Sequence, residues 1–396
     1  MALVALAVLM AFGWAARFSC LRDGTWTGGE QFRWACYTDM APLWFGRGLD
    51  DGAVPYLDAD LEYPVLIGAQ IHVTATLASE AGEPVVAFFN VNALLNALAA
   101  VAVLVVVATS GASRGRQLRW AIAPVVVTSL FTNWDVVAVL ALVAGIELRR
   151  RSHDGAAGIA AGLGAAVKLF PAVLVPVVVA DLVARGERRR AVRHAAAAAA
   201  AWSLVNLPVA FAAPAGWWRF YELSIERSAH WNSIWTALGH VGAGAVDPNG
   251  TSAAAFLAGA AAIMTAGVLW VAPGERWRTV LPLVCWFLVT TKVYSPQYSL
   301  WVAGLVALVP VATRPVVAFF AIDAATYVVE LLFLGGRAGF SPAPTYDALA
   351  VLVLLRAAAL LWIGVDAFRT AAQRQESNVR RASTADTGSS TPVSTG

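Results

Sequence analysis

Charge is scarce in this sequence. Asp, Glu, Lys and Arg make up 13% of its 396 residues, about half of the roughly 25% that a soluble domain carries. Stretches such as residues 85–109, 155–180 and 251–271 hold almost none of it. With 59% apolar residues and a mean hydropathy of +0.65, the chain is excluded from the soluble multidomain class and predicted to be an all-α polytopic membrane protein. Lysine is scarcer still: 26 of the 28 basic residues are arginine, leaving only Lys168 and Lys292. The net charge of +3 excludes a nucleic-acid partner. Three cysteines, Cys20, Cys36 and Cys285, are too few for a metal cluster or a disulfide framework. Cys20 and Cys36 share one loop and pair if it faces an oxidising side, the alternative being free apolar thiols. Walker and HExxH motifs are missing too, which removes support for cytosolic nucleotide chemistry.

The arginines that are present collect in clusters: Arg114, Arg116 and Arg119; Arg149 to Arg151; Arg185 to Arg193; and Arg276 with Arg278. Short cytoplasmic loops are enriched in basic residues, so all four clusters are expected inside. Residues 118–148 must then leave and return, turning near Thr132-Asn133-Trp134-Asp135, and residues 155–182 must turn near Lys168-Leu169-Phe170-Pro171. Each arm has only about 12–15 residues against the roughly 20 that span a bilayer, which predicts tilted or broken helices shielded by protein. Further crossings are expected at residues 191–212, 252–271, 280–290, 299–312, 316–334 and 346–367, giving about 12 in all. Both termini are then cytoplasmic, the first span is uncleaved, and residues 369–396 form a disordered tail. Residues 17–84 stand apart, with ten acids against four arginines. They predict a first outer loop carrying short helices on the membrane surface.

Polar residues at the outer ends of spans are functional candidates, because they are costly near lipid. They fall in an ordered series. Tyr37-Thr38-Asp39-Met40 is followed by Gly52-Ala-Val-Pro-Tyr56, then Leu61-Glu62-Tyr63-Pro64-Val65. Later come Gly162-x-Gly164-Ala-Ala-Val-Lys168-Leu-Phe-Pro171 and Lys292-Val-Tyr-Ser-Pro-Gln-Tyr298. Over residues 1–369 this series resembles glycosyltransferase family 87, the polyprenyl-phosphate-mannose-dependent α-mannosyltransferases with a GT-C-like transmembrane bundle. The resemblance implies one transferase domain over residues 1–368, in the cell membrane, with its active site on the extracytoplasmic side. It also implies an inverting transfer from a polyprenyl-phosphate sugar to a hydroxyl of a glycan or glycolipid acceptor. Gln297-Tyr298 and Thr132-Asn133-Trp134-Asp135 depart from the histidine and Gly-Gln-type patterns expected of some members.

An acceptor hydroxyl needs a general base, and the resemblance puts Asp39 in that role; a helix cap is its plainer reading. A departing phosphate needs fixed positive charge, for which Lys168, Lys292 and Arg227 are the candidates, against lysines that snorkel to lipid headgroups. Asp58, Asp60 and Glu62 form a tight acidic cluster able to bind acceptor hydroxyls or a divalent metal, with a solvated loop face as the alternative for Asp58 and Asp60. Tyr63 joins them as a substrate-binding candidate, and no cofactor is expected. Asn133, Asp135, His230, Trp231, Tyr294, Gln297 and Tyr298 complete the substrate-binding set, with an interfacial aromatic belt as the alternative for Trp and Tyr. Asp323 and Glu330, seven apart on a late span, mark either a proton path or a pairing with buried polar groups. They alone favour a rival class, a transporter or lipid-glycan flippase. A non-catalytic envelope scaffold leaves Asp39, Lys168 and Lys292 unexplained.

Overall fold

The computed structural model describes residues 1–24, 26–242 and 247–387, with side chains to residue 373. Helix α1 (Ala2–Asp23) is followed by the short α2 (Glu30–Arg33) and α3 (Met40–Gly46), then α4 (Val65–Ser79) and α5 (Pro84–Thr109). Next come α6 (Arg114–Ala121), α7 (Pro124–Ser129), α8 (Asp135–Arg150), α9 (Asp154–Val167) and α10 (Leu174–Ala184). The second half holds α11 (Arg188–Ala212), α12 (Pro214–Glu226), α13 (Ile234–His240), α14 (Pro248–Trp270) and α15 (Val280–Thr290). It ends with α16 (Ser299–Leu308), α17 (Thr313–Arg337) and α18 (Tyr346–Thr387). Among the described residues the only β pairing is an isolated bridge between Pro55 and Ala59. Six helices (α1, α5, α11, α14, α17 and α18) are long and apolar enough to cross a membrane, and the chain is an all-α polytopic membrane protein.

The remaining passages are short and internal. Residues 118–148 fold as α6, α7 and α8 around a turn at 130–134, and residues 155–182 as α9 and α10 broken at Lys168, the broken-helix hairpins that the basic clusters predict. Protein shields their interrupted backbones: every residue of α16 is buried, as are most of α15. Non-helical backbone at membrane depth is tolerated only under such cover. Helix α9 packs closely on α11 because Gly158 and Gly162 are one turn apart. A Cβ there would come within 2.2 Å of the carbonyl oxygens of His194 and Ala198.

Helices α8 and α9 form an antiparallel pair with opposite charges meeting at both ends. At one end Lys168 Nζ lies 3.0 Å from Asp135; at the other Arg149 bridges Asp154 at 3.3 Å and Asp181 at 2.7 Å. Acids occupy the first turns of both helices and arginines the last turn of α8, matching the helix dipoles. Asp181 also bonds Arg276 at 3.4 Å, Asp154 also bonds Arg190 at 2.6 Å, and Arg116 donates to the carbonyl of Leu308 at the end of α16. The arginine clusters therefore meet at one end of the bundle. The opposite end holds Asp135 and Lys168, about 24 Å away along the sixteen residues of α8. On that side Trp44 of α3 packs at a tilt against Phe88 of α5, ring centres 5.2 Å apart, placing α3 beside the start of α5. Helix α18 continues past Arg369 to Thr387, so the boundary expected at 368 falls within it, and residues 388–396 lie outside the described residues.

Candidate active site

Asp39 opens α3, on a segment docked against the turn between α7 and α8. Its amide donates to the Thr132 carbonyl at 2.8 Å, and the Thr38 hydroxyl donates to the Phe131 carbonyl at 3.1 Å. That turn is held from α5. The Asn96 amide donates to the carbonyls of Leu130 (3.0 Å) and Asn133 (2.6 Å), and the Trp134 indole donates to Asn92 (2.7 Å). The buried Arg17 guanidinium in α1 donates to the Val127 carbonyl at 3.0 Å, closing the other side at the end of α7. Asp39 is thus fixed by two independent helices. Its carboxylate accepts the Tyr37 hydroxyl on Oδ1 (2.7 Å), and the Tyr63 hydroxyl (2.6 Å) and Asn133 amide (3.3 Å) on Oδ2. Burial pushes its carboxyl above the usual range, against the opposing pull of these hydrogen bonds and of the Lys168 charge. A carboxyl so raised is a stronger base than an exposed one.

Lys168 follows α9 in extended conformation. Its ammonium pairs with Asp135, which also accepts the Trp301 indole at 2.9 Å. It lies 5.5 Å and 5.2 Å from the ring centres of Tyr63 and Tyr298. Phe170 stacks on Trp301 at 3.9 Å, fixing the turn. Asp135 itself is buried and lines neither of the two cavities below, so its expected substrate contact gives way to a positioning one. The first-turn carboxylate is turned inward by Lys168 and Trp301.

Two cavities meet here. The larger, about 630 Å³, is walled by Asp39, Tyr37, Tyr63, Asn133, His230, Trp231, Gln297 and Tyr298, with the Arg47–Glu62 pair (2.6 Å) at its edge. The smaller, about 350 Å³, is largely apolar, with Phe220, Phe256, Phe287 and Trp301 on its walls. Lys168, Arg227, Glu62 and Tyr298 border both. Arg227 is exposed and makes no ion pair among the described residues. Lys292 borders only the smaller cavity. Its ammonium donates to the Ile225 carbonyl (2.7 Å) and to Asn249, while burial and nearby Arg227 push it below the ordinary lysine value. Burial, with Arg227 and Arg356, pushes His230 down to about 4, so its imidazole is neutral at neutral pH.

Other expected members are placed elsewhere. Asp58 accepts the Val54 amide (2.9 Å) and Asp60 lies 3.4 Å from Arg219; neither lines either of these two cavities. Short acidic side chains in a tight turn satisfy the local backbone first. With Glu62 held by Arg47 the acids do not converge, and no group suited to a metal ion occurs among the described residues. Tyr294 turns away, its hydroxyl bonded to Ser299 (2.9 Å) and its ring under Arg356 at 3.6 Å. Asp323 pairs with buried Arg356 at 3.5 Å, and Glu330, on the wall of the larger cavity, accepts the Trp231 indole at 2.8 Å. These two acids are therefore anchors for the loop around Trp231, which removes the feature that favoured transport.

Sequence reasoning passed over Tyr37, Arg47, Asn92, Asn96 and Trp301. The asparagines carried a readable signal, polar residues at i and i+4 in an otherwise apolar helix. Cys20 and Cys36 form a disulfide that ties the end of α1 to the residue before Tyr37. It closes a loop of sixteen residues, for which the chain-entropy relation gives about 3 kcal/mol. Cys36→Ser is expected to lower the thermal midpoint in detergent and to reduce activity more than Cys285→Ser, measured on the same preparations.

Residues 63–296, more than half of the chain, match the sequence model of glycosyltransferase family 87. No curated protein matches the chain in sequence. Among solved structures, ArnT from Cupriavidus metallidurans bound to undecaprenyl phosphate is 15% identical, with a TM-score of 0.43 over 92% of this chain and 77% of that one. On the family match, with its span covering Tyr63, Asn133, Lys168, Arg227 and Lys292, the chain belongs to glycosyltransferase family 87.

Proposed function

We propose that this membrane glycosyltransferase moves a sugar, mannose on the family resemblance, from a polyprenyl-phosphate donor to a hydroxyl of a glycan or glycolipid acceptor. The observation that carries this reading is the junction of the two cavities. Asp39 faces the polar cavity, while Lys168 and Arg227 stand where it opens into the apolar one. In this reading the prenyl chain lies along Phe220, Phe256 and Phe287, the phosphate sits between Lys168 and Arg227, and the sugar points toward Asp39. The acceptor hydroxyl gives its proton to Asp39 as its oxygen bonds to the anomeric carbon. The anomeric carbon–oxygen bond to phosphate breaks, and its electron pair leaves on the phosphate. Attack from the side opposite the leaving group inverts the anomeric centre. Cations fixed beside the phosphate stabilise charge that grows in the transition state.

The site is proposed to face outward. The arginine clusters at the far end support this through the positive-inside bias, and the disulfide beside Asp39 through the need for an oxidising compartment. Both termini are then cytoplasmic. Single cysteines introduced at 150 and 295 are to be labelled from outside intact cells with an impermeant thiol reagent. Labelling at 295 alone is expected; labelling at 150 alone reverses the arrangement.

The functional test incubates purified protein with polyprenyl-phosphate mannose and membrane glycolipids and follows the product by mass spectrometry. A mannosylated product is expected. Transfer only from a nucleotide sugar, or transport without transfer, overturns the reading.

A further inference from the structure

The two oxygens of Asp39 are occupied unequally. Among the described residues, Oδ2 accepts both Tyr63 and Asn133, whereas Oδ1 accepts Tyr37 alone. The partners of Oδ2 are rigid. Tyr63 is buried, edge-on to Trp134 at 5.2 Å and under the Lys168 ammonium, and Asn133 is buried and tied to Asn96. Tyr37 is only half-buried, and its ring contact is Phe32 at 5.7 Å, itself on the cavity wall. The disulfide at Cys36 anchors the backbone beside Tyr37, so what is free to move is its side chain.

We propose that the Tyr37 hydroxyl occupies the seat of the acceptor hydroxyl on Oδ1 and is displaced when the acceptor binds, while Tyr63 and Asn133 keep Oδ2 throughout. This rests on the reading of Asp39 as the base. A carboxylate largely withdrawn from water is costly without partners, and an open Oδ1 beside a loaded donor would activate water. Tyr37 removes both difficulties in the resting enzyme. It gains and loses no proton: the acceptor's proton passes to Oδ1 as the new glycosidic bond forms and the bond to phosphate breaks. Tyr37 is a positioning residue that favours transfer over hydrolysis.

The test compares Tyr37→Phe with Tyr63→Phe, using polyprenyl-phosphate mannose with and without a glycolipid acceptor. Removing the competitor for Oδ1 is expected to lower the acceptor KM roughly three- to tenfold, the worth of one net hydrogen bond. It should also raise release of free sugar when acceptor is withheld. Tyr63→Phe is expected to lower kcat at nearly constant KM without added hydrolysis. Phe keeps the stack on Phe32, and Tyr37→Leu, which also empties the seat, should repeat the pattern. If both Tyr37 variants lower kcat as Tyr63→Phe does, with no gain in acceptor affinity or hydrolysis, the inference is overturned. Asp39→Asn, assayed in parallel, separates the two failures: an active variant there removes the base assignment itself, whereas an inactive one confines the failure to Tyr37.

Discussion

Asp39→Asn is expected to lower turnover by about 10²-fold or more, the usual worth of a general base, while donor binding stays close to that of the parent. The fold should not suffer. Burial raises the folded-state pKa of Asp39, so the native chain holds that proton more tightly than the unfolded one. The stability linked to this group is complete below the unfolded pKa and is lost as pH rises through the folded value. At neutral pH the charged carboxylate therefore burdens the fold. An amide that keeps an oxygen for Tyr37 or Tyr63 should melt at the same temperature or higher in detergent. The same shift puts the acid limb of the pH–rate profile above the ordinary carboxylate range. An Asn variant with most of its activity would pass the role to Glu62, which lines both cavities. Asp58 and Asp60 are engaged elsewhere.

Lys168→Ala should cost about 2–4 kcal/mol of transition-state stabilisation, by analogy with removal of a single oxyanion donor. The variant also leaves Asp135 buried without its partner, which alone destabilises a fold by roughly 3–5 kcal/mol. Lys168→Ala combined with Asp135→Ala separates the effects. Removing both charges restores much of the lost stability, read as a thermal midpoint, but leaves kcat low if the ammonium acts on the phosphate. Recovery of activity along with stability would make Lys168 a structural residue. Arg227→Ala should behave differently. Its guanidinium is exposed and not held by a carboxylate among the described residues, so its loss should raise the donor KM more than it lowers kcat. Convergence expected of three cations reduces to two on the cavity that holds Asp39. Lys292 instead clamps the start of α14 to the end of α12.

The long spans and the broken hairpins were legible because both follow from local pattern, apolar run length and the placement of arginine. The ends of α8 and α9 were likewise readable, since residues of opposite sign sat at each turn. Partner choice was hidden. Asp135 reads as an outward carboxylate until α9 returns Lys168 to within 3.0 Å of it. Asp58 and Asp60 read as a cluster with Glu62, although three separate partners divide them. Tyr37 stood in the quoted motif without a role, because nothing local shows that its hydroxyl meets Asp39 from two residues away. Such contacts depend on where the α7–α8 turn docks, and that depends on Asn92 and Asn96 some forty residues earlier.

The most direct test of the shared site is a cryo-EM structure of the Asp39→Asn protein trapped with polyprenyl-phosphate mannose. The account predicts the phosphate within hydrogen-bonding distance of both Lys168 and Arg227, the prenyl chain against Phe256 and Phe287, and the anomeric carbon facing position 39. A phosphate held elsewhere, with the sugar outside the cavity that Asp39 lines, would contradict it.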